Sequence, residues 1–138
     1  MQGFNSIVVF SNDKSQILMC KRRKDPYQGL NCFVGGKIEL NESGQDAAYR
    51  ELYEETGINR DDILLTHFID YTYHISGVYV EVYVGKLNKI MAVQGDENEL
   101  FWTDLAHNFF DTTVFGGEGD IGHVMAQIKK RESALFKD

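Results

Sequence analysis

An α+β fold, with a mixed β-sheet enclosed between helices, is what this sequence predicts, on three observations. Short runs rich in Val, Ile, Phe and Tyr are interleaved with segments that read as two or three helices. The 138 residues suit one domain and leave no room for two conventional ones. A composition 43% hydrophobic and 25% charged supplies enough apolar side chains for a core, which excludes a disordered chain.

Taken in order, Ser6–Phe10 and Gln16–Lys21 flank Ser11-Asn12-Asp13-Lys14, a cluster of turn formers, and predict a hairpin. A polar loop runs from Lys21-Arg22-Arg23-Lys24 through the only proline, Pro26, to about Leu30. Cys32-Phe33-Val34 reads as a brief strand that stops at Gly35-Gly36. Asn41 and Ser43 are cap formers ahead of a helix over Ser43–Thr56, which carries Ala47, Ala48 and Leu52 and which Gly57 ends. Ile63–Tyr73 and Gly77–Leu87 predict two long strands joined through His74-Ile75-Ser76-Gly77. An acidic loop, Gly95-Asp96-Glu97-Asn98-Glu99, leads into Leu100-Phe101-Trp102. A glycine-rich loop, Gly116-Gly117-Glu118-Gly119, then precedes an amphipathic run from about Ile121 to Phe136. No repeat, linker or low-complexity tract divides the chain, so residues 1–138 read as a single domain.

Charge narrows the function classes. With 14 Lys+Arg against 21 Asp+Glu, the net charge of −7 opposes a binder of polymeric nucleic acid, which needs a basic footprint. The same balance suits a site that holds divalent cations in carboxylates. Cys20 and Cys32 make neither a disulfide framework nor a zinc site and read as free thiols in a reducing compartment. No apolar run is long enough for a bilayer, and Met1–Phe10 lacks the pattern of a signal peptide, so a cytoplasmic protein with no membrane partner is expected. His67, His74, His107 and His123 show no ligand spacing.

The chemistry concentrates in Gly36–Ile58, GKIELNESGQDAAYRELYEETGI. It contains Glu39, Glu42, Glu51, Glu54 and Glu55 as well as Asp46. At about 100° per residue, Glu51, Glu54 and Glu55 fall within an arc of about 100° on one helical face. Three carboxylates crowded there repel one another. A hard divalent cation, Mg²⁺ or Mn²⁺, would relieve that repulsion; a solvated acidic face is the other reading of such a run.

The whole segment decides between them. It matches the Nudix box, G-x5-E-x7-R-E-U-x-E-E-x-G-U with U aliphatic, at Gly36, Glu42, Arg50, Glu51, Leu52, Glu54, Glu55, Gly57 and Ile58. At average residue frequencies, a chance match in a chain of this length is rarer than about one in a million. The sequence therefore resembles the Nudix hydrolase family, MutT-like members included, and the resemblance implies an α/β/α sandwich with a mixed sheet. It also implies water attack on the diphosphate of a nucleotide, assisted by Mg²⁺ with Mn²⁺ as a substitute. By the family pattern, Glu51, Glu54 and Glu55 bind metal together with the carbonyl of Gly35, and Glu51 or Glu54 activates the water. Gly36, Glu42, Arg50 and Gly57 are the structural positions, Arg50 pairing with Glu42 or Glu51. One departure stands out: many relatives carry Pro before the glycine pair, where this chain has Val34, which loosens the turn but removes no ligand.

Outside the box, the resemblance marks further residues. Glu97 or Glu99, ahead of Trp102, stands where relatives often carry another acidic ligand; an exposed acidic loop is the alternative. Arg22 resembles a strand-end Arg that contacts nucleotide in MutT-like members, and Lys37 either faces the phosphates or is solvated. Tyr73 stands where a Tyr marks some dinucleoside-polyphosphate hydrolases, whereas the proline of many ADP-ribose hydrolases is absent. Phe115 is expected to stack on a base whose edge Glu118 or Asp120 reads, the glycine-rich loop being otherwise only a connection.

These readings lead to a Mg²⁺-dependent pyrophosphohydrolase with a small nucleotide partner. Compact length without an added domain favours a MutT-like enzyme releasing nucleoside monophosphate and pyrophosphate. The alternatives are a hydrolase of dinucleoside polyphosphates or nucleotide sugars and, in another class, a non-catalytic nucleotide-sensing module. The intact glutamate set opposes the last. A homodimer is left open.

Overall fold

The computed structural model describes residues 1–93, 95 and 98–136. In chain order the elements are β1 (Gln2–Phe10), β2 (Gln16–Lys21), β3 (Asn31–Cys32), α1 (Gly44–Thr56), β4 (Thr66–Tyr73), β5 (Val78–Lys86), β6 (Glu99–Asp104) and α2 (Asp120–Leu135). The mixed sheet runs β3-β2-β1-β5-β4, with β6 on β2.

Strand alternation explains the layering. On β1, Ile7 and Val9 enter a core with Ala48 and Leu52 of α1, whereas Val8 and Phe10 enter a second core with Ile121, Val124 and Ile128 of α2. On β2, Leu18 and Cys20 join the first core, and Ile17 and Met19 the second. The sheet is thus buried on both faces, with one helix on each side. No helix is long and apolar enough to cross a membrane among the described residues.

The expected hairpin exists only beside its turn. Phe10 pairs with Ile17, but the long partner of β1 is β5, parallel and in register from Gln2↔Val78 to Phe10↔Lys86. One edge of β2 is taken along its full length by β6, from Gln16↔Asp104 to Lys21↔Glu99. Its other edge meets β1 at Ile17 and β3 at Cys20 and Lys21. The two hairpin strands therefore splay, and residues 31–38 fill the wedge, bridging back to β1 at Val34–Ile7 and Lys37–Phe4. That wedge carries Gly35-Gly36 to the sheet beside α1.

α1 is set by its termini. Ser43, in extended conformation, accepts the Asp46 amide at its side chain, and Gly57 ends the helix in the left-handed conformation at φ 80°. Its buried residues, Ala47, Ala48, Tyr49, Leu52 and Thr56, are the stripe that packs on the sheet.

Candidate active site

The edge of α1 beside that stripe carries the carboxylates. Because Ala48 and Leu52 must face the sheet, Glu51, Glu54 and Glu55 emerge at the rim of the helix and line one cleft of about 410 Å³ with Cys20, Val34, Asn98 and Leu100. Each carboxylate is held differently. Glu51 accepts from Arg50 Nη1 at 3.0 Å and Glu54 from the same nitrogen at 3.3 Å. Glu55 accepts from the Gly35 amide at 2.9 Å.

Arg50 holds this arrangement together. Its Nε and Nη2 reach the two oxygens of Glu42 at 3.1 and 2.7 Å, and Nη2 also donates to the Lys37 carbonyl at 3.1 Å. Glu42 in turn takes the Glu39 amide at 2.9 Å. The loop is thereby tied to the helix, and Arg50 pairs with both Glu42 and Glu51. These contacts hold Glu42 below the usual carboxylate range. Burial pushes Glu51 the other way, upward, against the lowering pull of Arg50; Glu54 and Glu39 add to the rise.

The glycines answer two different demands. A Cβ on Gly36 would lie 2.5 Å from the carboxyl carbon of Glu51, so only glycine lets that carboxylate rest against the loop. At Gly35, with φ 156°, a Cβ would run into the main-chain carbonyl of Asn5. A Cβ at Gly36 would displace the Glu51 carboxylate, whereas at Gly35 it would meet backbone that has no room to give.

A hard divalent cation fits this donor set, which is all oxygen and anionic on one cleft wall. Among the described residues no three Asp, Glu, His or Cys side chains already converge on one point. Mg²⁺, however, binds through one or two carboxylates plus substrate phosphates rather than in an all-protein cage.

The residues named outside the box are distributed unevenly. Glu99 is exposed and shares strand parity with Phe101, which packs on the α2 side, whereas Leu100 and Trp102 pack toward α1. Alternation thus turns Glu99 away from the carboxylates. Asn98 lines the cleft instead, with its Oδ1 taking the Arg23 amide at 3.2 Å. Glu97 lies outside the described residues. Arg22 donates from Nε to the Pro26 carbonyl at 2.8 Å, which ties it to its own loop, and Lys37 is exposed. Tyr73 ends β4 with its ring edge-on to Tyr71.

Phe115, expected to stack on a base, is packed inward. It is 5% exposed, its ring 5.1 Å from that of Phe109 within the α2-side core. Glu118 is exposed, and Asp120 begins α2 with its carboxyl raised by burial. Sequence reasoning missed Tyr27 and Tyr71. The charges of Glu118 and Asp120 help to raise the Tyr27 phenol, and that of Asp120 helps to raise Tyr71, so these groups share one region. Nothing in the spacing of Tyr27 and Tyr71 could have joined them, because loop and strand meet there only through the fold.

Known proteins bear on this geometry in two ways. An RNA pyrophosphohydrolase of Pseudomonas putida is 40% identical over 57 residues, 41% of this chain and 33% of that protein, so the match spans about a third of the relative's length. Among solved structures, one from work on MutT of Aliivibrio salmonicida and Vibrio cholerae superposes with a TM-score of 0.73 at 23% identity, covering 94% of this chain and 98% of the other. A Caenorhabditis elegans Ap4A hydrolase superposes with a TM-score of 0.76 at 16% identity, covering 97% and 99%. At such identities the superpositions speak for the fold. The NUDIX domain profile matches residues 1–115, which takes in β1 through the carboxylate helix to Phe115, and on that match the chain belongs to the NUDIX family.

Proposed function

We propose that this chain is a Mg²⁺-dependent pyrophosphohydrolase acting on a nucleoside diphosphate linked to another moiety, and that its substrates are nucleoside triphosphates cut to monophosphate and pyrophosphate. The observation that carries the reading is the common cleft of Glu51, Glu54 and Glu55, with two carboxylates tethered to Arg50 and the third to the Gly35 amide. Bound there, Mg²⁺ would neutralise phosphate charge and make water more acidic. Glu51, Glu54, Glu55 and the Gly35 carbonyl are the groups to hold it.

The chain's own residues supply orientation and a proton acceptor. Arg50, forked onto Glu42, also orients Glu51 and Glu54 through Nη1. Glu51 is the less exposed of those two, at 15% against 58% for the side chains, and burial raises its proton affinity. It is the better base for water, with Glu54 second. Asp120 and Glu118, at the start of α2, are the candidates for reading a base edge, with Arg22, Lys37 and Tyr73 as further substrate contacts.

A panel of nucleoside triphosphates, dinucleoside polyphosphates and nucleotide sugars, assayed with Mg²⁺, tests this reading. Phosphate and pyrophosphate are quantified separately. Pyrophosphate from a triphosphate is the expected product. Turnover confined to dinucleoside polyphosphates or sugars would replace the substrate class, and no turnover of any with Mg²⁺ or Mn²⁺ would overturn the enzyme reading.

A further inference from the structure

Asn5 is a polar residue inside a sheet. It is 5% exposed and sits on the β1 face shared with Ile7 and Val9, which pack against α1. Its Nδ2 is the one buried side-chain nitrogen or oxygen without a hydrogen-bond partner among the described residues. Burying an amide donor unpaired is costly, and an apolar side chain here would avoid that cost. Only the other end of the amide is engaged: Oδ1 accepts the Gly36 N–H at 3.2 Å.

That contact replaces a regular one. The main chains of β1 and the wedge segment pair through Ile7 N–H to the Val34 carbonyl and Asn5 N–H to the Gly36 carbonyl, both at 2.8 Å. In an unbroken antiparallel ladder the Gly36 N–H would return to the Asn5 carbonyl. The Asn5 side chain takes it instead. Because a trans peptide points its N–H and C=O in opposite directions, holding the Gly36 N–H toward Asn5 turns the Gly35 carbonyl away from β1. Gly36 also supports the Glu51 carboxylate, and the Gly35 N–H holds Glu55. Two consecutive glycines, Gly35 and Gly36, therefore link β1 to two of the cleft carboxylates.

We propose that Asn5 is a positioning residue: its Oδ1 fixes the Gly35–Gly36 peptide, so that the Gly35 carbonyl faces the cation site and Glu51 and Glu55 keep their places. This rests on the reading of that cleft as a divalent-cation site, and the test separates the two. In the ¹⁵N-labelled full chain, hydrogen exchange of the Gly36 amide reports the peptide, and Mn²⁺ titration followed by electron paramagnetic resonance reports the site. Asn5→Val removes the acceptor and favours the strand more than Asn does; Asn5→Asp keeps an acceptor oxygen at the same point. We expect Asn5→Val to raise Gly36 exchange and to weaken Mn²⁺ binding about 10–100-fold, the scale of losing an outer-shell partner. Asn5→Asp should retain Gly36 protection and most of the Mn²⁺ affinity. Equal Gly36 exchange in wild type and Asn5→Val overturns the proposal, as does Mn²⁺ binding unchanged in Asn5→Val. Loss of Gly36 protection in Asn5→Asp as strong as in Asn5→Val also overturns it, because the acceptor would then not be what matters. A wild-type chain that binds no Mn²⁺ sinks the cation reading, while Gly36 exchange still reports whether Asn5 holds the peptide.

Discussion

Arg50 grips Glu42 with both prongs of its guanidinium, Nε at 3.1 Å from one oxygen and Nη2 at 2.7 Å from the other, across eight residues of sequence. The contact is made by the same side chain that orients Glu51 and Glu54. Loop closure and carboxylate placement are therefore one event, and a change at Arg50 must disturb both.

Arg50→Lys preserves the charge but cannot reproduce the planar fork. Glu42, Glu51 and the Lys37 carbonyl would share one ammonium. A loss of about 1–3 kcal/mol is expected in urea unfolding, the scale of charged hydrogen bonds left unmade. Turnover should fall with it, since Glu51 is freed. Unfolding and turnover both at wild-type values would show that the fork is ornamental.

Glu54→Gln keeps size and helix propensity but withdraws an anionic oxygen. A fall in kcat of about 10²-fold or more, with a higher Mg²⁺ requirement, is expected on the scale of a lost electrostatic contact. Glu99→Gln is the internal control, because Glu99 is exposed and does not line the cleft, and it should turn over as wild type. Near-normal kcat in Glu54→Gln, at every Mg²⁺ concentration, would leave only a solvated acidic face.

The neighbouring glycines should respond differently to alanine. At Gly36 the new methyl meets the Glu51 carboxylate, the far end of a side chain, which can move aside. Activity should drop more than stability. At Gly35 it meets the main chain of Asn5, which cannot. Thermal melting of both variants beside their kcat values separates the cases, and equal losses of stability would contradict this account.

Phe115→Ala should behave as a core deletion, losing about 3–5 kcal/mol. Its ring is packed on Phe109, with Ile121 and Val124 in the same cluster. Equilibrium unfolding measures the loss. A variant of unchanged stability whose KM rises would restore the stacking role read from the sequence.

Cys20 lines the cleft, and burial, with the nearby Cys32 and Glu55, pushes its thiol from the ordinary 9.0 up to about 12. The folded chain thus holds this proton at pH values where the unfolded chain has lost it. Its contribution to stability is complete below pH 9 and declines as pH rises from about 9 toward 12. Melting temperatures of wild type and Cys20→Ala from pH 7 to 11 should show a steeper alkaline decline in wild type. Ellman's reagent should leave Cys20 unmodified in the folded chain at pH 8. Parallel pH profiles, or rapid modification, would refute the shift.

What the sequence alone determined is what short-range geometry controls. Ser43 and Gly57 bound a helix because a side-chain oxygen can take an orphan amide and glycine can turn left-handed, and both residues are adjacent to the groups they serve. The 3-and-4 spacing of Glu51, Glu54 and Glu55 puts them on one face of any helix, and strand alternation fixed which residues share a side. The two-layered core followed from those periods. Partners distant in sequence were a different matter. That β1 pairs with β5 in parallel, and that the hairpin splays to admit Gly35-Gly36, depends on long-range strand pairing that no local pattern encodes. Glu99 faced away because the register of β6 on β2 decides its side, and Phe115 was buried because Phe109 covers it. Asn5, 31 residues from Gly36, shows no motif at all: a single Asn in a strand acquires a role only when the fold sets its amide beside a particular N–H. Hydrogen bonds and burial are short-ranged in space and indifferent to sequence separation, so those decisions belonged to the tertiary structure.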